Sequence, residues 1–309
     1  MIARPEQLRR FGRRHPLAPI ALGVLLYSTG PVLVQASSVS GPAFSFWRLW
    51  FGVVVLGITT LAHMRISGRR PRVQAWRWSV GAGFAFGAHQ LLFFSAIKAT
   101  SVVDVTLINT LAPIVTGILA VPVFQERPGP SFRLWSLMAM AGTAVVVLAA
   151  STGPEGSPVG MALAVANVVV FAIFFLASKG SREHLDVVPF LFGVITLAAF
   201  TVSTYVVVAG EAVGAATVRD LLFAAIVAAG PGTVGHVVST WPLRWVPANI
   251  PPVMRLAIPV LAASWAWWFL GEPVTVVHVV GGLVTVAGVA GAILSPGGQA
   301  LMEQETLEG

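Results

Sequence analysis

The chain has 309 residues, 56% of them hydrophobic and only 10% charged, with a mean hydropathy of +0.83. Soluble domains carry about 25% charged residues, so this composition excludes a water-soluble globule and describes a membrane protein. The net charge of +7 comes from 17 Arg, 2 Lys and 12 acidic residues, and the lack of cysteine excludes disulfides, thiol chemistry and cysteine metal centres.

A bilayer core about 30 Å thick takes about 20 apolar residues per helical crossing. Ten stretches have that character: 17–37, 42–62, 79–98, 103–124, 133–150, 158–178, 187–209, 221–242, 249–270 and 274–294. Continuous apolar runs favour helices over barrel strands, which alternate over about ten residues. The fold class expected is therefore an all-α integral membrane protein with ten transmembrane helices. The first stretch follows a basic tail and precedes Val34-Gln35-Ala36, which imitates a signal peptide with its cleavage site. Its apolar length exceeds the usual run of about 7 to 15 residues, so it is expected to be an uncleaved first helix.

With the N-terminus in the cytoplasm, 15 basic residues fall inside: Arg4, Arg9, Arg10, Arg13 and Arg14 in the tail, Arg65, Arg69, Arg70, Arg72 and Arg77, then Arg127, Arg133, Lys179, Arg182 and Arg244. Only Lys98 and Arg219 fall outside. This asymmetry satisfies the positive-inside rule and predicts both termini on the cytoplasmic side of the membrane. The basic clusters are then topology signals that touch membrane lipids, with no nucleic-acid partner.

Sliding the sequence by 146 residues superimposes Pro113 on Pro259, Glu126 on Glu272, Gly142 on Gly288 and five further identities. A shift of 147 superimposes His89 on His236. Each half then holds five spans, an odd number, so the second half enters the membrane from the opposite side. Two inverted five-helix repeats are expected, residues 1–152 and 153–309, joined at "GPEGSP" (153–158).

An Arg in the second span ("FSFWRLWFGVVVLG", 44–57) accompanies a fourth span with a central Pro and terminal Glu ("LAPIVTGILAVPVFQE", 111–126) and a ninth of like design ("AIPVLAASWAWWFLGEP", 257–273). In these features residues 17–294 resemble the EamA branch of the drug/metabolite transporter superfamily. The resemblance implies an exporter of a small metabolite working by alternating access. Members carry cargo as different as amino acids, drugs and sugar phosphates. Arg255 departs from the pattern, which has a small or uncharged polar residue there.

A proline removes its own N–H and presses on the carbonyl four residues earlier, so Pro113 frees the Asn109 carbonyl and Pro259 that of Arg255. In lipid such a break faces protein or a watery cavity; a kink that only shapes helix packing is the plainer reading. Arg255 lies about six residues, or about 9 Å, into its span. It contacts cargo or a gate, snorkels to the interface, or forms an ion pair. Arg48, between Trp47 and Trp50, either lines the same path or pairs with Asp104. All twelve acids fall in tails, loops or span ends. A cavity with two arginines and no central carboxylate suits zwitterionic or anionic cargo.

His89 and His236 carry the side chain whose unperturbed pKa, about 6.5, lies close to physiological pH, and are candidates for proton coupling, against the simpler role of packed hydrogen-bonding residues. Gln90, Asn109, Asn167 and Ser239 supply uncharged hydrogen bonds to the cavity or between helices. Trp265, Trp267 and Trp268 suit an interfacial belt or an aromatic exit. Glu126 and Glu272 are assigned to capping and loop hydrogen bonds. Gly281, Gly282, Gly288 and Gly291 permit tight packing of the tenth span within a monomer or across a homodimer. "GAGFAFG" (81–87) lacks the setting of a dinucleotide loop, and neither a P-loop nor a zinc-protease motif occurs. No cofactor, metal or enzymatic step is expected. The function expected is export of an amino acid or related carboxylate. The rivals are a multidrug or lipophilic-cation exporter and a non-transporting membrane scaffold or sensor.

Overall fold

The computed structural model describes residues 15–68, 71–100, 102–149, 157–181, 184–265, 267–268 and 275–308. All regular structure in them is helical. The helices are α1 Leu17–Tyr27, α2 Gly30–Gln35, α3 Gly41–Ser67, α4 Trp78–Ala99, α5 Val102–Asn109, α6 Ala112–Phe124, α7 Pro130–Ala149 and α8 Pro158–Gly180. They continue as α9 Val187–Ala209, α10 Val218–Ala229, α11 His236–Thr240, α12 Ile250–Arg255, α13 Ile258–Trp265, α14 Val276–Leu294 and α15 Pro296–Glu308. Among the described residues eight helical stretches are long and apolar enough to cross a membrane, and two shorter apolar helices, Leu17–Tyr27 and Ile250–Leu261, accompany them.

Several helices begin where the chain supplies a cap. Ser40 caps α3 and Ser157 caps α8, each followed closely by a proline whose missing N–H costs nothing in the first turn. Thr217 and Asp220 form a capping box at α10, and Asp220 also accepts from Ser38 N at 2.7 Å and Ser38 Oγ at 2.6 Å.

Four of the expected spans are interrupted, two of them as the proline argument predicts. Between α5 and α6, Thr110 and Leu111 N–H turn to the carbonyls of Leu107 and Ile108. Between α12 and α13, Leu256 and Ala257 N–H turn to Val253 and Met254, the positions 146 residues later. The first span was expected to be continuous but divides into α1 and α2. Pro31 cannot donate to the Tyr27 carbonyl, and the Ser28 and Thr29 hydroxyls bond back to Leu25 and Leu26 carbonyls at 2.6 and 2.8 Å. The eighth carries a π turn over Gly230–Gly235 around Pro231. The C-terminal tail, expected to be merely polar, contains α15.

Packing is inside-out relative to a soluble protein. Val54, Ile58, Phe84, Ile118, Phe200 and Leu283 are exposed, whereas Ser45, Arg48, Gln90, Thr143, Asn167 and Thr285 are buried. Lipid is as apolar as leucine, so close backbone approach and polar contacts hold such helices together. The pair α7 and α14 shows this. A Cβ on Gly288 would collide with the Ala139 backbone, and one on Gly281 would lie 3.0 Å from the Gly142 carbonyl. The glycine stripe of the tenth span is thus spent within the chain. Trp265 serves the break in the first span, donating to Ser28 Oγ at 2.9 Å, while Trp267 and Trp268 are exposed as an interfacial belt requires.

Candidate cargo cavity

A cavity of about 180 Å³ lies where the interrupted helices meet α3, α4 and α8. Four prolines sit at the interruptions: Pro31, Pro113, Pro231 and Pro259. The residues four places before them, Tyr27, Asn109, Val227 and Arg255, all line the cavity. Each of these four residues has a carbonyl that lacks the amide donor a regular helix would supply four places on.

The structure brings together seven of the eight residues singled out in the sequence: Arg48, His89, Gln90, Asn109, Asn167, His236 and Arg255. Ser239 is not among them; it is buried behind Tyr27, with its Oγ against Gly23. Arg255 points inward, with its Cζ 3.9 Å from the ring centre of Tyr27, 4.6 Å from Phe171 and 5.4 Å from Phe175. Three rings around a guanidinium form a cation–π cage, the kind of contact that tolerates desolvation. Arg48 Cζ stands 5.4 Å from the Phe86 ring centre. The π turn brings Gly232 so close that a Cβ there would meet Arg48 Nη2 at 2.7 Å. Among the described residues neither arginine has a carboxylate partner, and the Nε of each is buried without a hydrogen bond. The Asp104 side chain, the partner expected for Arg48, lies outside the described residues.

The histidines occupy two different settings. His89 Nδ1 is 2.6 Å from Asn167 Oδ1, and Asn167 Nδ2 donates to Asn109 Oδ1 at 3.2 Å, a relay that fixes three cavity residues at once. The His89 ring stacks on Phe171 at 4.2 Å. His236 makes edge contacts with Phe86 at 4.9 Å and Tyr27 at 5.2 Å. Gln90 contributes a buried Oε1 with no partner. The aromatic residues Tyr27, Phe171 and Phe175 carry little signal in the sequence, because rings are commonplace in an apolar helix; the one mark is that Tyr27 precedes an intramembrane proline by four.

At one end of the bundle Glu126 makes the loop hydrogen bonds expected of it, but it is buried and also ion-paired. Its Oε1 is 3.0 Å from Lys179 Nζ, and its carboxylate accepts from Ala248 N at 3.1 and 3.0 Å and from Asn249 Nδ2 at 3.2 Å. This latch joins the end of α6, the end of α8 and the segment before α12. Glu272, its expected counterpart, lies outside the described residues, as do 150–156, which include most of the proposed seam.

The sequence matches the profile of the EamA-like transporter family over residues 17–148 and again over 158–294. The chain belongs to the EamA-like transporter family. It is accordingly a multi-pass membrane protein of a transporter family, not a family of enzymes. Among curated relatives it is 31% identical over 166 residues to "Aromatic amino acid exporter YddG" of Ancylobacter novellus, covering 50% of this chain and 55% of that one. It is 30% identical over 160 residues to "Uncharacterized transporter YwfM" of Bacillus subtilis, covering 50% and 52%. The chain spans about half the length of the curated relatives it matches. A solved crystal structure superposes on 91% of this EamA chain and 97% of its own, with a TM-score of 0.72 at 20% identity, a likeness of fold.

Proposed function

We propose that this EamA protein is a secondary transporter that exports an amino acid or closely related carboxylate across the inner membrane. It works by alternating access between two inverted five-helix repeats, with both termini cytoplasmic. The observation that carries the cargo is the set of unpaired polar atoms on cavity residues: Nε of Arg48 and of Arg255 as donors, Oε1 of Gln90 as an acceptor, and the Tyr27 hydroxyl, which can serve as either. Buried polar atoms need partners. A carboxylate meets the guanidinium donors and an ammonium meets the amide oxygen, so an α-amino acid satisfies both kinds. Rings of Tyr27, Phe93 and Phe171 face the same space and favour an apolar or aromatic side chain. The aromatic amino acid exporter among the relatives supports that choice.

In this reading Arg255 and Arg48 hold the carboxylate, Asn109 and Gln90 orient the amino group, and Asn167 keeps Asn109 and His89 in place. His89 and His236 are the sites of proton coupling. The Glu126–Lys179 latch closes the cytoplasmic side. The lipophilic-cation reading would call for a carboxylate in the cavity, and no described one lines it.

Proteoliposomes holding the purified chain decide the matter. Saturable uptake of labelled phenylalanine or tryptophan, accelerated by an imposed pH gradient, is expected; transport of tetraphenylphosphonium alone overturns the proposal. Loss of the gradient effect with retained binding in His89→Gln or His236→Gln is expected if those rings carry the proton.

A further inference from the structure

A cavity larger than the cargo chamber, a groove of about 510 Å³, lies between α6 and α7. These helices are consecutive in the chain, joined only by residues 125–129, yet they stand apart along two facing stripes. On α6 the stripe is Pro113, Ile114, Gly117, Ile118 and Val121; on α7 it is Phe132, Arg133, Ser136, Leu137 and Met140. Both follow the spacing i, i+1, i+4, i+5, i+8, one continuous helical face each. Antiparallel neighbours with matched apolar faces ordinarily close on one another, and here the space between them is open.

The chemistry at its mouth says what fills it. Arg127 and Arg133 line the same end of the groove and are exposed, with no carboxylate partner among the described residues. Glu126, the nearest acid in sequence, is buried and engaged by Lys179, Ala248 and Asn249, so it does not neutralise them. Asn249 also lines the groove. It is 1% exposed, its Nδ2 donates to Glu126, and its Oδ1 has no hydrogen-bond partner. That oxygen lies beside Gly117, where a Cβ would meet it at 3.3 Å. A long apolar trough thus ends in two unneutralised guanidinium groups, and one buried acceptor that lacks a donor lies along it, beside Gly117.

The geometry points to a binding site for an anionic phospholipid with a hydroxylated headgroup, of the phosphatidylglycerol type. One acyl chain lies along Ile114, Ile118, Leu137 and Met140. The phosphate is held by Arg127 and Arg133, and a headgroup hydroxyl donates to Asn249 Oδ1. Arginine binds phosphate through paired N–H donors, and anionic lipids concentrate at basic positions beside membrane helices. Asn249 connects this site to the Glu126–Lys179 latch, so the lipid braces the closed end of the bundle.

The native chain has no cysteine, so Leu137→Cys carrying a bimane fluorophore gives a single reporter in the groove. Brominated phosphatidylglycerol is expected to quench it with half-effect at a mole fraction at least fivefold lower than brominated phosphatidylcholine with the same chains. That preference is expected to vanish in Arg127→Gln/Arg133→Gln, two exposed positions whose replacement leaves the buried packing untouched. Equal quenching by the two lipids, or a preference that survives the double substitution, overturns the site. Displacement of the brominated lipid by soluble glycerol 3-phosphate at comparable concentration overturns it too, since the acyl chain would then contribute nothing.

Discussion

Arg255 rests on rings where a carboxylate would be the usual counterpart, and this decides how its substitutions should behave. Hydrogen bonds to a charged group contribute about 1.5–3 kcal/mol, so Arg255→Leu is expected to weaken amino-acid binding by at least tenfold in calorimetry. Arg255→Lys keeps the charge but not the planar fork, and an intermediate loss is expected. If Arg255→Leu binds cargo as well as the native chain, the role assigned to this residue is wrong. The polar members of the cavity were legible in the sequence because an Arg, His, Asn or Gln in an apolar run is costly and needs a reason. The cage was not, because Tyr27, Phe171 and Phe175 look alike in a sequence whether they face lipid or ring a cation. Ser239 shows the converse: a small hydroxyl satisfies itself in many places, and its type alone did not place it.

At the level of helices, the proline rule located two breaks correctly because Pro113 and Pro259 recur at the same offset and drew attention together. The identical chemistry at Pro31 and Pro231 went unread for want of a matching partner in the other half. Pro259→Ala gives the Arg255 carbonyl a donor again and invites α12 and α13 to join. Higher thermal stability with slower transport is expected, measured as melting temperature and proteoliposome flux; unchanged flux would mean that the break only shapes packing. Gly288→Val drives a branched side chain into the Ala139 backbone. Overpacking of this kind costs about 1–3 kcal/mol, so a lowered melting temperature is expected, and a melting temperature equal to the native one would show that α7 and α14 can separate without penalty.

For the whole molecule, the Glu126–Lys179 pair is the one described ion pair buried at both ends, and it ties both halves of the chain. It escaped the sequence because the two residues end spans 53 positions apart, where charges ordinarily meet water. At the 146-residue offset the place of Lys179 is held by Leu33, so the pair has no equivalent in the other half. In the alternating-access cycle proposed above, a pair present at one end alone favours the state closed at that end. Breaking a buried pair by removing one partner costs about 3–5 kcal/mol, here lessened by the N–H donors that Glu126 retains. Lys179→Met is expected to raise the maleimide reactivity of Ala248→Cys from the cytoplasmic side in inverted vesicles; no change would remove the latch from the mechanism. The four prolines at the interruptions have a last effect, on motion. Each removes one rung of the hydrogen-bond ladder from its span, so these spans can bend beside the chamber without first breaking a bond that a regular helix would hold.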